Sequence, residues 1–68
     1  GDMTKRIILI VRVAGKLWMM ESIAASRYPG EIEVVDTIGP LNYKTREAVG
    51  VGGAIYRIFI DNSVGVVP

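Results

Sequence analysis

The residues that could do chemistry are few, and two of the usual types are missing. The 68 residues include no cysteine and no histidine. That removes disulfides, thiolate nucleophiles, CxxC redox chemistry and cysteine-based zinc or iron–sulfur sites. It also removes the usual proton shuttle at neutral pH and the commonest transition-metal ligand. No cofactor and no metal site are expected.

Among the carboxylates, Asp36 and Asp61 stand out, because both fall near the ends of expected strands. A carboxylate pair could share acid–base work or hold Mg²⁺. No nucleophile–base constellation accompanies them, and Asp61 beside Asn62 and Ser63 reads more simply as a turn residue. Ser22 and Ser26 with Lys16 could suggest a serine–lysine dyad, but helical spacing puts both serines on a solvent face. The stretch VGVGGA, from Val49 to Ala54, has glycines in the wrong place for a phosphate loop. They follow an expected helix and precede a strand, whereas an anion-binding loop follows a strand and opens a helix. No catalytic residue is assigned, and the balance leans away from an enzyme.

Binding chemistry has two sources. Arg6, Arg12 and Arg57, interleaved with Tyr56 and Phe59, could form a basic, aromatic sheet surface for RNA. The net charge of +1 gives that reading little electrostatic support. Trp18 beside Met19 and Met20 could form a contact patch, since these residue types are enriched at interfaces.

The elements that must position these residues follow from periodicity. From Arg6 to Val13 the sequence RIILIVRV is a strand, apolar on both faces. Ile7, Leu9, Val11 and Val13 form one row; Ile8 and Ile10 lie on the other between Arg6 and Arg12. Gly15 punctuates. From Lys16 to about Tyr28 the stripe Leu17, Met20, Ala24 and Tyr28 fits a helix, which Pro29-Gly30 ends. From Glu31 to Ile38 a second strand places Ile32, Val34 and Ile38 on one face, with Asp36 anomalously on the same row. Strand, crossover helix and strand predict a right-handed βαβ unit. Asn42 is placed as the N-cap of a short helix through Val49, with Gly50 at its C′ position. From Ala54 to Asp61 a third strand, a turn at Asp61-Asn62-Ser63 and a return from Val64 to Val67 make a hairpin.

The fold expected is therefore α/β in two layers, β-α-β-(short α)-β-β. A mixed sheet of about four strands carries one main helix on one face. Gly1 and Asp2, ahead of Met3, are read as a cloning remnant, and residues 3–68 as one domain. Lys5 and Arg6 before the apolar run loosely mimic a signal peptide, but Arg12 interrupts that run. The run is also far short of the roughly 20 residues of a membrane span. The chain is expected to be soluble and cytoplasmic.

This element order is similar to that of small thioredoxin-like proteins, and GGAIYRIFIDNSVGVV, from Gly52 to Val67, resembles their hairpin region. AGKLW stands where that superfamily carries its cysteine motif, no proline precedes the third strand and the final helix is missing. No redox role follows. ASRYPGEIEVVDTIGPLN, from Ala25 to Asn42, resembles a stretch of a small-subunit ribosomal protein family but lacks its basic character.

One helix on a sheet with a two-sided first strand leaves apolar surface unpaired. A chain this small commonly needs a staple, and without cysteine or histidine the one left is association. The leading functional expectation is a non-enzymatic interaction module. It would self-associate, or dock on a protein partner, through Ile8, Ile10, Val35, Phe59 and Trp18. The first alternative is RNA binding through Arg6, Arg12, Arg57 and Tyr56. The second is an enzyme subunit whose site forms between chains.

Overall fold

The computed structural model describes residues 7–67, so Arg6 and the two leading residues lie outside it. It is mostly β, not α/β. Six strands form two three-stranded antiparallel sheets: β1 (Ile8–Val13), β2 (Lys16–Glu21), β3 (Glu33–Ile38), β4 (Glu47–Val49), β5 (Ile55–Ile58) and β6 (Val64–Val67). Their orders are β2-β1-β3 and β4-β5-β6. Single bridges join the sheets at both seams, Trp18 to Ser63 and Ile38 to Gly50. The arrangement therefore approaches a closed six-stranded barrel.

The expected main helix is replaced by β2 and one helical turn, α1 (Ser22–Ser26). The cause is a two-residue turn. Ala14 and Gly15 take φ of 52° and 79°, and Val13 faces Lys16 across the hairpin. Positive φ at both central residues defines the turn whose twist matches a tight antiparallel hairpin. Along β2, Leu17, Met19 and Glu21 point one way and Trp18 and Met20 the other. Both rows are largely apolar, so the sequence shows no alternation and fits a helical stripe equally well.

The expected βαβ unit is corrected for the same reason. β3 pairs with β1 antiparallel, which needs no crossover helix. The register shifts between Ile10 and Val11: Ile10 faces Asp36, and Val11 faces Val34. Val35 is the extra residue of a β-bulge. A bulge breaks the two-residue alternation. Asp36 and Ile38 thus share the face of Ile10 and Ile8, while Val34 shares that of Val11 instead of joining Ile38.

The short helix expected after Asn42 is also absent. Asn42 does cap a chain reversal, since its Oδ1 accepts the amides of Lys44 and Thr45 at 3.0 and 3.2 Å. The reversal is a hairpin loop, closed by Asn42 N–H donating to the Glu47 carbonyl at 2.8 Å, and the chain continues as β4. Arg46, at φ 61°, makes the left-handed step that ends the loop. The hairpin of β5 and β6 is as expected, turning through Asp61, Asn62 and Ser63, with Asn62 left-handed at φ 67°.

The core lies between the sheets: Ile10, Ile38, Ala48, Tyr56, Ile58 and Val64, flanked by Ile8, Leu17 and Met19. Ile10 and Val11 are both 0% exposed. The two-sided burial expected of β1 is therefore real, but this chain supplies it. Sheet β4-β5-β6 covers the Ile8 and Ile10 face. On the other side Tyr28, just after α1, lines a recess with Val13, Trp18 and Met20.

The Ala14-Gly15 turn carries a test. Ala14 has a Cβ in left-handed backbone, a conformation that asparagine tolerates better. Ala14→Asn is expected to raise stability by about 0.5–1 kcal/mol, measured by urea unfolding. A helical segment at this position would instead show a neutral or negative effect.

Candidate functional site

A cluster of polar groups joins the two sheets at the seam between β3 and β4. The bulge turns Asp36 toward the core, where its carboxylate needs donors. Asp36 Oδ2 accepts the Tyr56 hydroxyl at 2.8 Å; Oδ1 accepts the amides of Thr37 at 2.8 Å and Val51 at 3.2 Å. The same Val51 amide donates to the Thr37 carbonyl, and Gly39 donates to Val49. Gly50 makes the close approach possible. A Cβ there would run into the Asp36 carboxylate and come within 3.0 Å of the Tyr56 ring.

The electrostatics of this pair hold it in one protonation state. The Tyr56 hydroxyl, then the Thr37 and Val51 amides, keep Asp36 below its ordinary value against the opposing effect of burial. Burial, then the hydrogen bond to Asp36 and its charge, raise the Tyr56 phenol above its ordinary value of 10.0. At neutral pH the pair is one carboxylate and one phenol. Neither is poised to exchange a proton, and the cluster acts as a latch between the sheets.

Asp61 lies beyond the other end of β5. The Ser63 hydroxyl, donating to Oδ1 at 2.6 Å, and then the Ser63 amide lower its pKa. The structure therefore holds Asp36 and Asp61 apart, each satisfied locally. Among the described residues no three acidic side chains are placed to hold a metal ion. The glycines of the VGVGGA stretch form the β4–β5 turn, where Gly53 has φ 94° and donates to the Gly50 carbonyl at 3.0 Å.

No protein-family model, curated protein or solved structure matches the chain. The functional reading therefore rests on the geometry.

The five expected interface residues do not form one surface. Ile10 is in the core and Ile8 packs against it. Val35 is the exposed bulge residue of β3. Trp18 is half-buried on the outer side of the same sheet, β2-β1-β3, with the Lys16 Nζ 4.9 Å from its ring centroid. Phe59 is exposed on the outer face of sheet β4-β5-β6, where its ring lies over Gly65.

The residues of the RNA reading are likewise dispersed. Tyr56 is buried, and its hydroxyl is used by Asp36. Arg57 pairs with Glu47 at 3.2 Å, and Arg12 lies 3.7 Å from Glu33. Arg6 is outside the described residues. No described helix is long and apolar enough to cross a membrane.

Sequence reasoning missed two surfaces. One is a cavity of about 570 Å³ at a barrel mouth, lined by Ile8, Met19, Glu21, Ile38, Leu41 and Tyr43. The other is the outer face of sheet β4-β5-β6. Cross-strand register puts Val49, Ile55 and Val67 in one apolar row there, and Glu47, Arg57 and Gly65 in the next. Val49 is 54% exposed and Phe59 48%. The hairpin of β5 and β6 is legible in the sequence, but the residues of β4 fit a short helix after Asn42, so the sequence alone does not assemble this row.

The latch makes stability depend on pH in two directions. The folded pKa of Asp36 is lowered, so its contribution is full above about pH 4 and is lost as pH falls through the folded value. The folded pKa of Tyr56 is raised, so its contribution is full below about pH 10 and is lost as pH rises through the folded value. Tyr56→Phe is expected to cost about 1.5 kcal/mol at neutral pH, to weaken the acid arm and to remove the part of the alkaline arm due to this phenol. Gly50→Ala is expected to cost about 1–3 kcal/mol by overpacking. Urea midpoints across pH measure both; an unchanged alkaline arm in Tyr56→Phe contradicts the latch.

Proposed function

We propose that the chain is a non-enzymatic interaction module that self-associates through the outer face of sheet β4-β5-β6. This replaces the face centred on Ile8 and Ile10, which the fold already covers. The observation that carries it is the arrangement of rows on that face. Val49 and Ile55 stand side by side as exposed apolar residues, and beside them stand Glu47 and Arg57 as an exposed ion pair.

That pattern is self-complementary about one axis. A two-fold parallel to the strands, between β4 and β5, lays Val49 of one copy on Ile55 of the other. The same rotation lays Glu47 on Arg57, twice. Residue i meets j and j meets i, as an isologous contact requires. An axis running along β5 itself would set Arg57 against Arg57, so charge selects the first arrangement. Phe59 over Gly65, together with Val67, forms an apolar margin. Apolar contact supplies the attraction, and the charges fix the register.

β4 is three residues long and β5 and β6 four each. Such a face falls short of the ~800 Å² per partner of a standard interface. Association is therefore expected to be weak, with a dissociation constant on the order of 0.1 mM.

Sedimentation across concentration provides the test. Arg57→Glu and Glu47→Arg should each abolish self-association while leaving the monomer folded. An equimolar mixture of the two variants should restore a dimer, because each supplies the charges the other lacks. A parent protein that stays monomeric to millimolar concentration rejects the proposal, and so does a mixture that fails to pair.

A further inference from the structure

The recess on the outer side of sheet β2-β1-β3 is independent of that face. It measures about 220 Å³ and is lined by Val13, Ala14, Lys16, Trp18, Met20 and Tyr28. The hairpin and the chain after α1 build it together. The tight Ala14-Gly15 turn sets Lys16 opposite Val13, and alternation along β2 puts Lys16, Trp18 and Met20 on one face. Tyr28, just before Pro29-Gly30, is the one lining residue from outside the hairpin.

Its chemistry is uneven in a useful way. Two aromatic side chains and a thioether favour a flat, polarisable ring, through offset stacking and sulfur–aromatic contact. The one charged lining residue is Lys16. Its Nζ lies over the Trp18 ring, 4.9 Å from the centroid, so the cation is held against the aromatic wall of the recess. A ligand that satisfies both parts carries one ring and one anionic group about a bond or two away. Asp61 is the competing charge, since Lys16 adds to the lowering of its pKa.

We infer that this recess binds a small aromatic carboxylate, with the ring against Trp18 and Tyr28 and the carboxylate on Lys16. A ligand of about ten heavy atoms at a partly open site binds in the millimolar range. The amine is solvent-exposed, so its pairing with the carboxylate contributes modestly and weakens with salt.

Trp18 is the chain's one tryptophan, so its fluorescence reports on the recess directly. Phenylacetate, phenylacetamide and phenethylamine are titrated into the full chain at low salt. Phenylacetate should saturate with a millimolar dissociation constant, about three- to fivefold tighter than the amide, and the amine should bind weakest. Lys16→Gln should erase the difference between acid and amide while still binding both through the ring. Asp61→Asn, which keeps an acceptor for Ser63, should tighten the acid but not the amide. High salt should bring the acid down to the level of the amide. The assignment is overturned if the acid shows no saturable response, or if acid and amide bind the parent equally. It is overturned as well if Lys16→Gln keeps the preference for the acid. Lys16→Gln leaves the β4-β5-β6 face untouched, so failure here is separable from failure of self-association.

Discussion

The hydrogen bond from Tyr56 to Asp36 is the interaction on which the architecture turns. Asp36 is half-buried, and a carboxylate partly withdrawn from water is stabilised by donors that replace its lost solvation. Here the donors come from both sheets: Thr37 from β3, Val51 from the β4–β5 turn, and Tyr56 from β5. Satisfying Asp36 therefore draws the second sheet against the first. The requirement also fixes its neighbours. The Val35 bulge is needed to turn Asp36 inward, and a residue without a side chain is needed at 50. The bridge between Ile38 and Gly50 lies next to the latch and closes one seam of the barrel.

Closure of the barrel settles how β1 is buried. A strand apolar on both faces demands two covers, and a helix was expected to supply one and a second chain the other. The chain instead folds a second sheet over Ile8 and Ile10 and carries Tyr28 to the other side. The helical turn itself contributes little. It is five residues long, no side chain caps its N-terminus and none of its residues is buried. A turn that short would not persist alone in water, and it serves to redirect the chain between β2 and β3. The local sequence around Gly15 supports a sheet because the Ala14-Gly15 turn brings β2 back onto β1 at once.

How much of this was legible depended on whether the signal was local. Strand β1 is marked by its β-branched run. The β5–β6 hairpin is marked by Asp61, Asn62 and Ser63, whose side chains and left-handed backbone build the turn they suggest. Asn42 was recognised as a cap because its short side chain reaches amides two and three residues on; whether a helix or a hairpin loop follows is decided further away. β2 was misread because Leu17, Trp18, Met19 and Met20 make two apolar rows, and a stretch apolar all round has no diagnostic period. Asp36 was visible as an oddity on an apolar row. Its explanation lies twenty residues along the chain in Tyr56, and nothing in the spacing of the two announces a contact. The outer row of Val49, Ile55 and half-buried Val67 depends on three strands in register, and the residues of β4 fit a short helix equally well.

The surfaces left for binding are those the fold does not consume. Tyr56 and Ile10 have the residue types of a binding patch but are spent on the core, and an aromatic ring whose hydroxyl holds a carboxylate cannot also stack on a ligand. The outer row of Val49 and Ile55 differs, because both side chains stay exposed among the described residues and the neighbouring charges are already of opposite sign. Placing that ion pair beside exposed valine and isoleucine has a further consequence. An apolar sheet face with no charges nearby would accept many partners and registers, whereas Glu47 and Arg57 penalise every register but the one that pairs them. The two proposed sites lie on opposite sheets, separated by the core. Self-association through one leaves Lys16, Trp18 and Tyr28 open to solvent on the other, so a dimer would present two recesses facing away from each other.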